Sequence, residues 1–364
     1  GLDTAPPGVL LWRALLQWLG GIGIIVMAIS ILPLLQVGGM QLFRMESSDS
    51  SDKAFPRVAQ ISAATAIIYV VLTLICAIAM WTAGMTPFEA AAHSMTTIAT
   101  GGFSTSDASI GHFDSAYMDW IVIIFMILGS LPFVLYFAMI RGNPRALVRD
   151  TQVQWFLITV VVSIIMIAVW LVTKNDMAMW HAVRLSSFNV VSIITGTGYA
   201  SADYNAWGVL PVTAFFFFMF IGGCAGSTSC GIKIFRYQIL FANARVQFRR
   251  MWQPNVVYSP RYNHKPIPES VTDAVMSFFF MFALVFGILA LALTLIGLDF
   301  MTAVSGAATA IANVGPALGS TIGPSGTFAP LPDAAKWVLS IGMLLGRLEL
   351  FTVLVLFSPA FWRA

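Results

Sequence analysis

The sequence predicts an all-α polytopic membrane protein built from repeats of a membrane helix, a re-entrant half-helix closed by a glycine turn, and a second membrane helix. Three observations carry this. First, 58% of the 364 residues are hydrophobic and 10% are charged, with a mean hydropathy of +0.84, which excludes a soluble globular domain. Second, apolar runs matching the ~20 residues that a bilayer crossing needs lie at about 9–36, 58–83, 117–140, 152–173, 207–221 continuing through 232–242, 271–297 and 335–358, seven crossings in all. Third, a moderately apolar segment too short to span, followed by a glycine-containing polar break, recurs three times between those crossings.

The charges orient the chain, because basic residues near spans mark the cytoplasmic side. Arg44, Lys53, Arg57, Arg141, Arg145, Arg149, the cations from Lys233 to Lys265, and Arg363 share one face. The other carries Glu89, Asp107, Asp114, Asp119, Asp176, Asp203, Asp299 and Asp333, with Arg13, Lys174 and Lys336 as exceptions. The first face is therefore cytoplasmic, and an odd number of crossings puts the termini on opposite sides. The basic stretch "RVQFRR" at 245–250 sits at a helix end, where it serves as a topology signal or meets anionic membrane lipid rather than nucleic acid. Cys76, Cys224 and Cys230 lie in or beside apolar runs and read as packing residues, not as a disulfide framework. The opening "GLDTAPPGVLLWRALL" has neither an initiator methionine nor a signal-peptide pattern, so the chain is expected to start partway into a longer one.

The short segments are "TPFEAAAHSMTTIA" (86–99) leading into "TGGFS", "MWHAVRLSSFNVVSII" (179–194) leading into "TGTGYAS", and "FMTAVSGAATAIA" (300–312) leading into "NVGPALGS". Half-helices of this length suit re-entrant segments. Non-helical backbone at membrane depth persists only where protein buries it or it lines a water-filled path. Exposed carbonyls there can replace the water of a dehydrated cation, helped by the negative ends of three half-helices. Aligning Ala99, Thr100 and Gly101 with Gly196, Thr197 and Gly198 and with Asn313, Val314 and Gly315 gives a shared glycine, free to take positive φ and turn neighbouring carbonyls inward. Each following helix carries a small-residue mark, "ILGS", "FIGG" or "LLGR", at 129 − 101 = 28, 222 − 198 = 24 and 346 − 315 = 31 residues from that glycine. A fourth mark, "WLGG" at Gly20, has no break in front of it. The corresponding units are 1–44, an incomplete first repeat, then 56–140, 152–250 and 270–364.

Two further features interrupt helices. "IGGCAGSTSCGIK" (221–233) contains Gly222, Gly223, Gly226, Ser227 and Gly231 within a few turns. It reads as GxxxG-type small-residue packing or as an intramembrane loop. A phosphate loop is excluded because Ile232 stands where the lysine belongs. Arg347 lies about midway along the last inner helix, where a guanidinium costs roughly 2.5–3.5 kcal/mol and must face water, a carboxylate or carbonyls; Glu349, two residues on, is poorly placed to pair with it. His93 reads as a packed helix residue, with no second ligand at metal spacing. Asp107 and Asp203 follow filters and either concentrate cations or are solvated loop residues. Tyr199 and Phe103 follow filter glycines and are expected to pack as a collar. A hydrolase built on His93 or His112 with Ser94 or Asp114 lacks a nucleophile elbow. A cation-coupled secondary transporter is the alternative reading, although the repeats enter from one side and are parallel, not inverted.

"LLQWLGGIGIIVMAISILPLLQVGGMQLFR", "TTIATGGFS", "ITGTGYASADYNAWG", "GGCAGSTSCGIKIFRYQ" and "AIANVGPALG" resemble the TrkH branch of the TrkH/TrkG/KtrB potassium transporters, and the resemblance covers essentially the whole chain. It implies pseudo-fourfold repeats around one pore, no enzymatic activity, potassium ion as the species bound at the filter with no organic cofactor, and uptake across the bacterial inner membrane. It also implies a homodimer and a cytosolic ring of nucleotide-binding TrkA-type subunits. The glycine loop would cross the pore below the filter, with Arg347 beside it as a positive barrier. Against the family pattern, the outer helix, pore helix and filter of the first repeat are expected to be missing.

Overall fold

The structure is a computed structural model that describes residues 1–30, 54–253, 259–263 and 265–347. Arg44, Lys53, Glu349 and Arg363, and the far ends of the first and last predicted crossings, lie outside the described residues. Helix α1 covers Pro7–Ser30. It is followed by α2 (Ala54–Thr82), the short α3 (Pro87–Ile98), α4 (Ala116–Gly129), α5 (Phe133–Ile140) and α6 (Arg145–Arg149). Next come α7 (Thr151–Lys174), the short α8 (Met179–Thr195), α9 (Val209–Phe218) and α10 (Ile234–Trp252). A two-residue antiparallel pair, Arg261–Tyr262 with Lys265–Pro266, leads into α11 (Glu269–Leu295), the short α12 (Phe300–Ala312) and α13 (Asp333–Arg347).

The three short helices begin and end where the sequence places them within a residue or two, and local chemistry explains two of the starts. Thr86 and Glu89 form a reciprocal capping box with Pro87 in the first turn of α3. The Asp299 carboxylate accepts the Thr302 N–H at the start of α12. Each short helix packs on the long helix before it: α3 on α2, α8 on α7, α12 on α11. Two also pack on the helix that closes the preceding unit, α3 on α1 and α8 on α4, so successive units interlock. Hydroxyl and amide residues of the short helices, including Thr96, Asn189, Ser192 and Ser305, are fully buried, whereas Ile67, Leu74, Ile158, Val162 and Phe280 of the long helices are exposed. A polar centre inside an apolar coat is the pattern of a bundle solvated by lipid.

Among the described residues four helices, α1, α2, α7 and α11, are long and apolar enough to cross a bilayer, and α4 with α5 makes a fifth as a bent pair. The other two predicted crossings are the α9–α10 run, interrupted at residues 219–233, and α13. The α4–α5 pair corrects the continuous crossing expected over 117–140: the chain turns by 89° between the two helices. Pro132 supplies the cause, since it lacks an N–H and its ring clashes with the preceding helical turn. The freed groups find new partners. Ser130 O accepts the Cys224 N–H at 3.0 Å, Gly129 O accepts the Thr228 N–H at 3.3 Å, and the Phe133 N–H donates to Gly226 O at 3.0 Å. One break in the bundle is thus stitched to another.

Candidate ion-conduction site

The three glycine turns share one backbone geometry. Residues Thr100, Gly196 and Asn313 take positive φ (46°, 73° and 54°), and so do Gly102, Gly198 and Gly315 two positions later (76°, 83° and 113°). Between them, the N–H groups of Gly101, Thr197 and Val314 donate to Thr96 O, Ser192 O and Thr309 O at 2.8, 2.9 and 3.1 Å. The common register therefore aligns Thr100, Gly101 and Gly102 with Gly196, Thr197 and Gly198 and with Asn313, Val314 and Gly315. It lies one residue further along in the first turn than the alignment on Ala99, Thr100 and Gly101, and the shared glycine there is Gly102. Ala99 ends α3 in ordinary right-handed helical conformation. The adjacent glycines 101 and 102 made the slip possible. Ile98, Ile194 and Ile311 carried the signal that avoids it, since each stands four residues before the shared glycine (102 − 98, 198 − 194, 315 − 311).

The turns lie side by side. A Cβ on Gly102 would overlap the Thr197 carbonyl oxygen, and one on Gly198 would overlap the Val314 carbonyl oxygen. Gly315 in turn has its Cβ direction 3.8 Å from Gly198 Cα. Glycine is required at 102 and 198 by close backbone approach as well as by φ. The requirement at Gly101 is weaker, since its neighbour is the flexible end of Gln17, whose Nε2 donates to Gly101 O at 2.6 Å. Behind the turns, a hydroxyl stands at the same position of each half-helix. Thr96 Oγ1 donates to Phe103 O at 2.9 Å, Ser192 Oγ donates to Tyr199 O at 2.6 Å, and Thr309 Oγ1 accepts the Gly315 N–H at 2.9 Å. Sequence reasoning missed this trio, although the constant spacing before the glycine was there to find it.

The glycine loop, residues 219–233, lies against the inner ends of the half-helices. It folds on itself through a parallel bridge between Ile221 and Ile232, with the Gly222 N–H donating to Ile232 O at 2.9 Å. Gly222 has no room for a side chain because Cys230 O occupies that space, while Gly226 and Gly231 both take a φ of 73°. Two hydroxyls fasten the loop. Thr228 Oγ1 is 2.9 Å from both Ile98 O and Gly129 O, and it accepts from the Thr100 hydroxyl at 3.2 Å. Ser229 Oγ donates to Thr195 O at 2.6 Å and accepts the Gly223 N–H at 2.8 Å. Ile98, Thr195 and Gly129 end α3, α8 and α4, where helices leave acceptors without partners. Ser227 bonds only within the loop, to Cys224 O at 2.6 Å. Gln152 of α7 reaches in to accept the Ala225 N–H at 2.6 Å.

Arg347 ends the described part of α13, and its Nη1 donates to the thiol sulfur of Cys230. Cys230 backs directly onto Gly196, 3.4 Å from that residue's Cβ direction, so the guanidinium is one side chain away from a filter-type turn. The marks after the breaks also have a place. Gly129 and Gly346 face the carbonyls of the equivalent residues Ile98 and Ile311, closely enough that a Cβ would collide with either.

The remaining candidates separate. His93 is buried, with Nδ1 2.9 Å from Glu89 O and Nε2 3.0 Å from Ser104 Oγ. Tyr199 is buried with its hydroxyl 2.5 Å from that of Thr96. Phe103 does not join it in a collar; the Phe103 ring is partly exposed under the Arg13 guanidinium, 4.3 Å from its centroid. Asp107 accepts the Leu2 N–H at 2.7 Å and so ties the N-terminal segment to the loop after the first turn, while Asp203 accepts the Asn205 N–H at 3.0 Å and serves its own local backbone.

Re-entrant half-helices whose glycine turns meet backbone to backbone inside an apolar-coated bundle define a multi-pass membrane transport protein. Comparison with known proteins gives the family: residues 1–364 match TrkH, described as a cation transport protein, and the chain belongs to that family. It is 53% identical over 363 residues to the Trk system potassium uptake protein TrkI of Halomonas elongata, covering 100% of this chain and 74% of that protein. It is 40% identical over 369 residues to the potassium uptake protein TrkH of Escherichia coli K12, covering 100% of this chain and 75% of the relative. The crystal structure of the potassium transporter TrkH from Vibrio parahaemolyticus superposes with a TM-score of 0.89 at 37% identity, again over 100% of this chain and 75% of that one. The chain is accordingly a multi-pass protein of the bacterial inner membrane, related to transporters and not to enzymes.

Proposed function

We propose that this chain takes up potassium ions across the bacterial inner membrane by passing them over the carbonyl oxygens of the turns at 100–102, 196–198 and 313–315. The observation that carries this is the contact of one turn's glycine with the next turn's carbonyl, Gly102 on Thr197 and Gly198 on Val314, which brings three sets of carbonyls to one place. Carbonyl dipoles without competing carboxylates suit a weakly hydrated monovalent cation. The names of its relatives point to potassium.

In the same proposal, the loop containing Gly222, Gly223, Gly226, Ser227 and Gly231 acts with Arg347 as the gate. For an assumed separation of ~10 Å and an effective dielectric of ~20, a unit positive charge beside the ion path raises a cation's energy by about 1.7 kcal/mol. Removing it is expected to raise flux roughly tenfold. Thallium or rubidium flux into liposomes holding the Arg347→Ala protein measures this, and flux equal to that of the unmodified protein would sink the gating role. No flux from unmodified protein at any potassium gradient would sink the conduction reading as well. The homodimer and the TrkA-type nucleotide-binding ring belong to the same proposal, with the basic face around Arg141, Arg145 and Arg149 as the surface offered to the ring.

A further inference from the structure

The mark glycines Gly20, Gly129, Gly222 and Gly346 put four helices in one register, and the residue three positions before each (20 − 17, 129 − 126, 222 − 219, 346 − 343) is Gln17, Met126, Met219 or Met343. Equivalent places thus hold three thioethers and one carboxamide. A thioether has no N–H to give, whereas a carboxamide has two and a carbonyl as well. Only the first helix can therefore offer a side-chain donor at this level.

Gln17 uses both ends of its amide on the first turn. Its Nε2 donates to Gly101 O at 2.6 Å, and its Oε1 accepts the Phe103 N–H at 3.1 Å. Because a backbone N–H can only donate, it fixes which end of the amide is oxygen and leaves the nitrogen facing the carbonyl. The neighbouring turns of α1 seat this contact. Four residues before, Arg13 lies over the Phe103 ring, 4.3 Å from its centroid. Four residues after, Gly21 closes on Ala99, with its Cβ direction 3.1 Å from the Ala99 Cβ. Residues 13, 17 and 21 share one face of the helix, and that face is laid along the turn.

Gly101 O is the counterpart of Thr197 O and Val314 O, which lie against the glycines of neighbouring turns at 102 and 198. Among the described residues, Gly101 O alone of these three has an amide donor at hydrogen-bond distance. A carbonyl held in this way cannot swing further toward an ion, and it shares its negative end with an N–H. Sodium is smaller than potassium, so it needs oxygens that close in and a stronger field. Both effects of the donor handicap sodium. We propose that Gln17 is a positioning residue for ion selection, whose carboxamide holds the Gly101 carbonyl back and so favours potassium over sodium. The inference rests on the conduction reading and names one determinant of its selectivity.

Potassium and sodium fluxes into liposomes holding the protein test it. Q17M copies the residue of the other three helices, keeps the bulk of the side chain and deletes the donor. Loss of one such hydrogen bond should lower the potassium-to-sodium flux ratio roughly fivefold, chiefly by raising sodium flux. Q17E keeps an acceptor for the Phe103 N–H but has no donor for Gly101 O when ionised; it should lower the ratio at least as far, and it serves in place of Q17M if that variant fails to fold. A ratio unchanged in folded Q17M or Q17E would overturn the inference while leaving the conduction reading in place. So would a loss of thermal midpoint and total flux at constant ratio, which would make Gln17 a packing residue. Absence of potassium flux from the unmodified protein would overturn both.

Discussion

The filter-type turns and the glycine loop both put irregular backbone deep inside the bundle, and they hold it there by different means. Each turn is fixed by its own half-helix, whose carbonyl five residues back accepts the turn's N–H, and by glycines pressed against a neighbouring backbone. The loop, residues 219–233, has a backbone bridge of its own and backbone links to Gly129, Ser130 and Phe133, and adds side chains that come from it or reach into it: Thr228, Ser229, Ser227 and Gln152. Both need glycine where backbone approaches backbone, at Gly102, Gly198 and Gly222, but the turns share one repeated pattern while the loop is tied to the half-helices by the single hydroxyls of Thr228 and Ser229. A repeated, self-contained geometry suits a part that must keep its shape. A few hydroxyl links suit a part that must release.

The sharpest break of this comparison is Gly198→Ala. Its φ of 83° is left-handed and its Cβ would strike the Val314 carbonyl oxygen; the conformation alone costs about 1–2 kcal/mol, and the collision moves backbone that has nowhere to go. Thallium flux into liposomes should fall roughly a hundredfold or more, some 3 kcal/mol. Gly102→Ala should do the same through the Thr197 carbonyl. Gly101→Ala should be far milder, because its Cβ meets only the movable end of Gln17. Flux lost in Gly101→Ala and kept in Gly102→Ala would return the register to Ala99, Thr100 and Gly101.

The complementary test removes a side chain from the loop. Thr228→Val keeps the shape and deletes the hydroxyl shared among Thr100, Ile98 O and Gly129 O. Leaving a buried acceptor without its donor costs about 1–3 kcal/mol. The thermal midpoint in detergent should fall by several degrees, basal flux should rise, and Thr228→Ser should restore both. A fall in flux would mean that the loop supports the path instead of closing it.

Much of this was legible because the repeat was. Three half-helices were bounded from apolar length and glycine punctuation alone, and "FMTAVSGAATAIA" coincides with α12. The first turn slipped by one residue because Gly101 and Gly102 are equivalent to the eye, and only geometry shows that Gly102 carries the positive φ. The bend at Pro132 was hidden inside an unbroken apolar run. Hydropathy cannot register a break whose backbone groups are satisfied by another segment about a hundred residues away, as Ser130 is by Cys224. Thr228 and Ser229 went unassigned for the same reason: their partners are carbonyls, which leave no trace in side-chain identity.

Tyr199 refines the contrast among the turns themselves. The residues after the three shared glycines are Phe103, Tyr199 and Pro316, so only the middle turn carries a hydroxyl that reaches the neighbouring half-helix, at Thr96. Tyr199→Phe should cost about 1 kcal/mol and leave the first and second turns less firmly spaced. The expected readout is a lower potassium-to-sodium flux ratio with total flux nearly unchanged. A ratio equal to that of the unmodified protein would make the link purely structural.

The smallest effects should come from the outer ends of the half-helices, which differ where their inner ends agree. Thr86 caps α3 and Asp299 caps α12, but Ala178 gives α8 no side-chain cap. Asp299→Ala should cost about 1 kcal/mol or less, and Ala178→Asp, on backbone already extended at φ −58° and ψ 137°, should return a similar amount. Hydrogen bonds from Thr302 hold the Asp299 carboxyl below its ordinary value of 3.8. A depressed carboxylate stabilises the fold above that value and loses its contribution as pH falls through the lowered one. The gap in thermal midpoint between unmodified and Asp299→Ala proteins should therefore be full near neutral pH and close on acidification below about pH 4. If the gap instead persists in acid, the cap works through the carbonyl oxygen of the neutral carboxylic acid, and the outer ends of the half-helices are held by hydrogen bonding without help from charge.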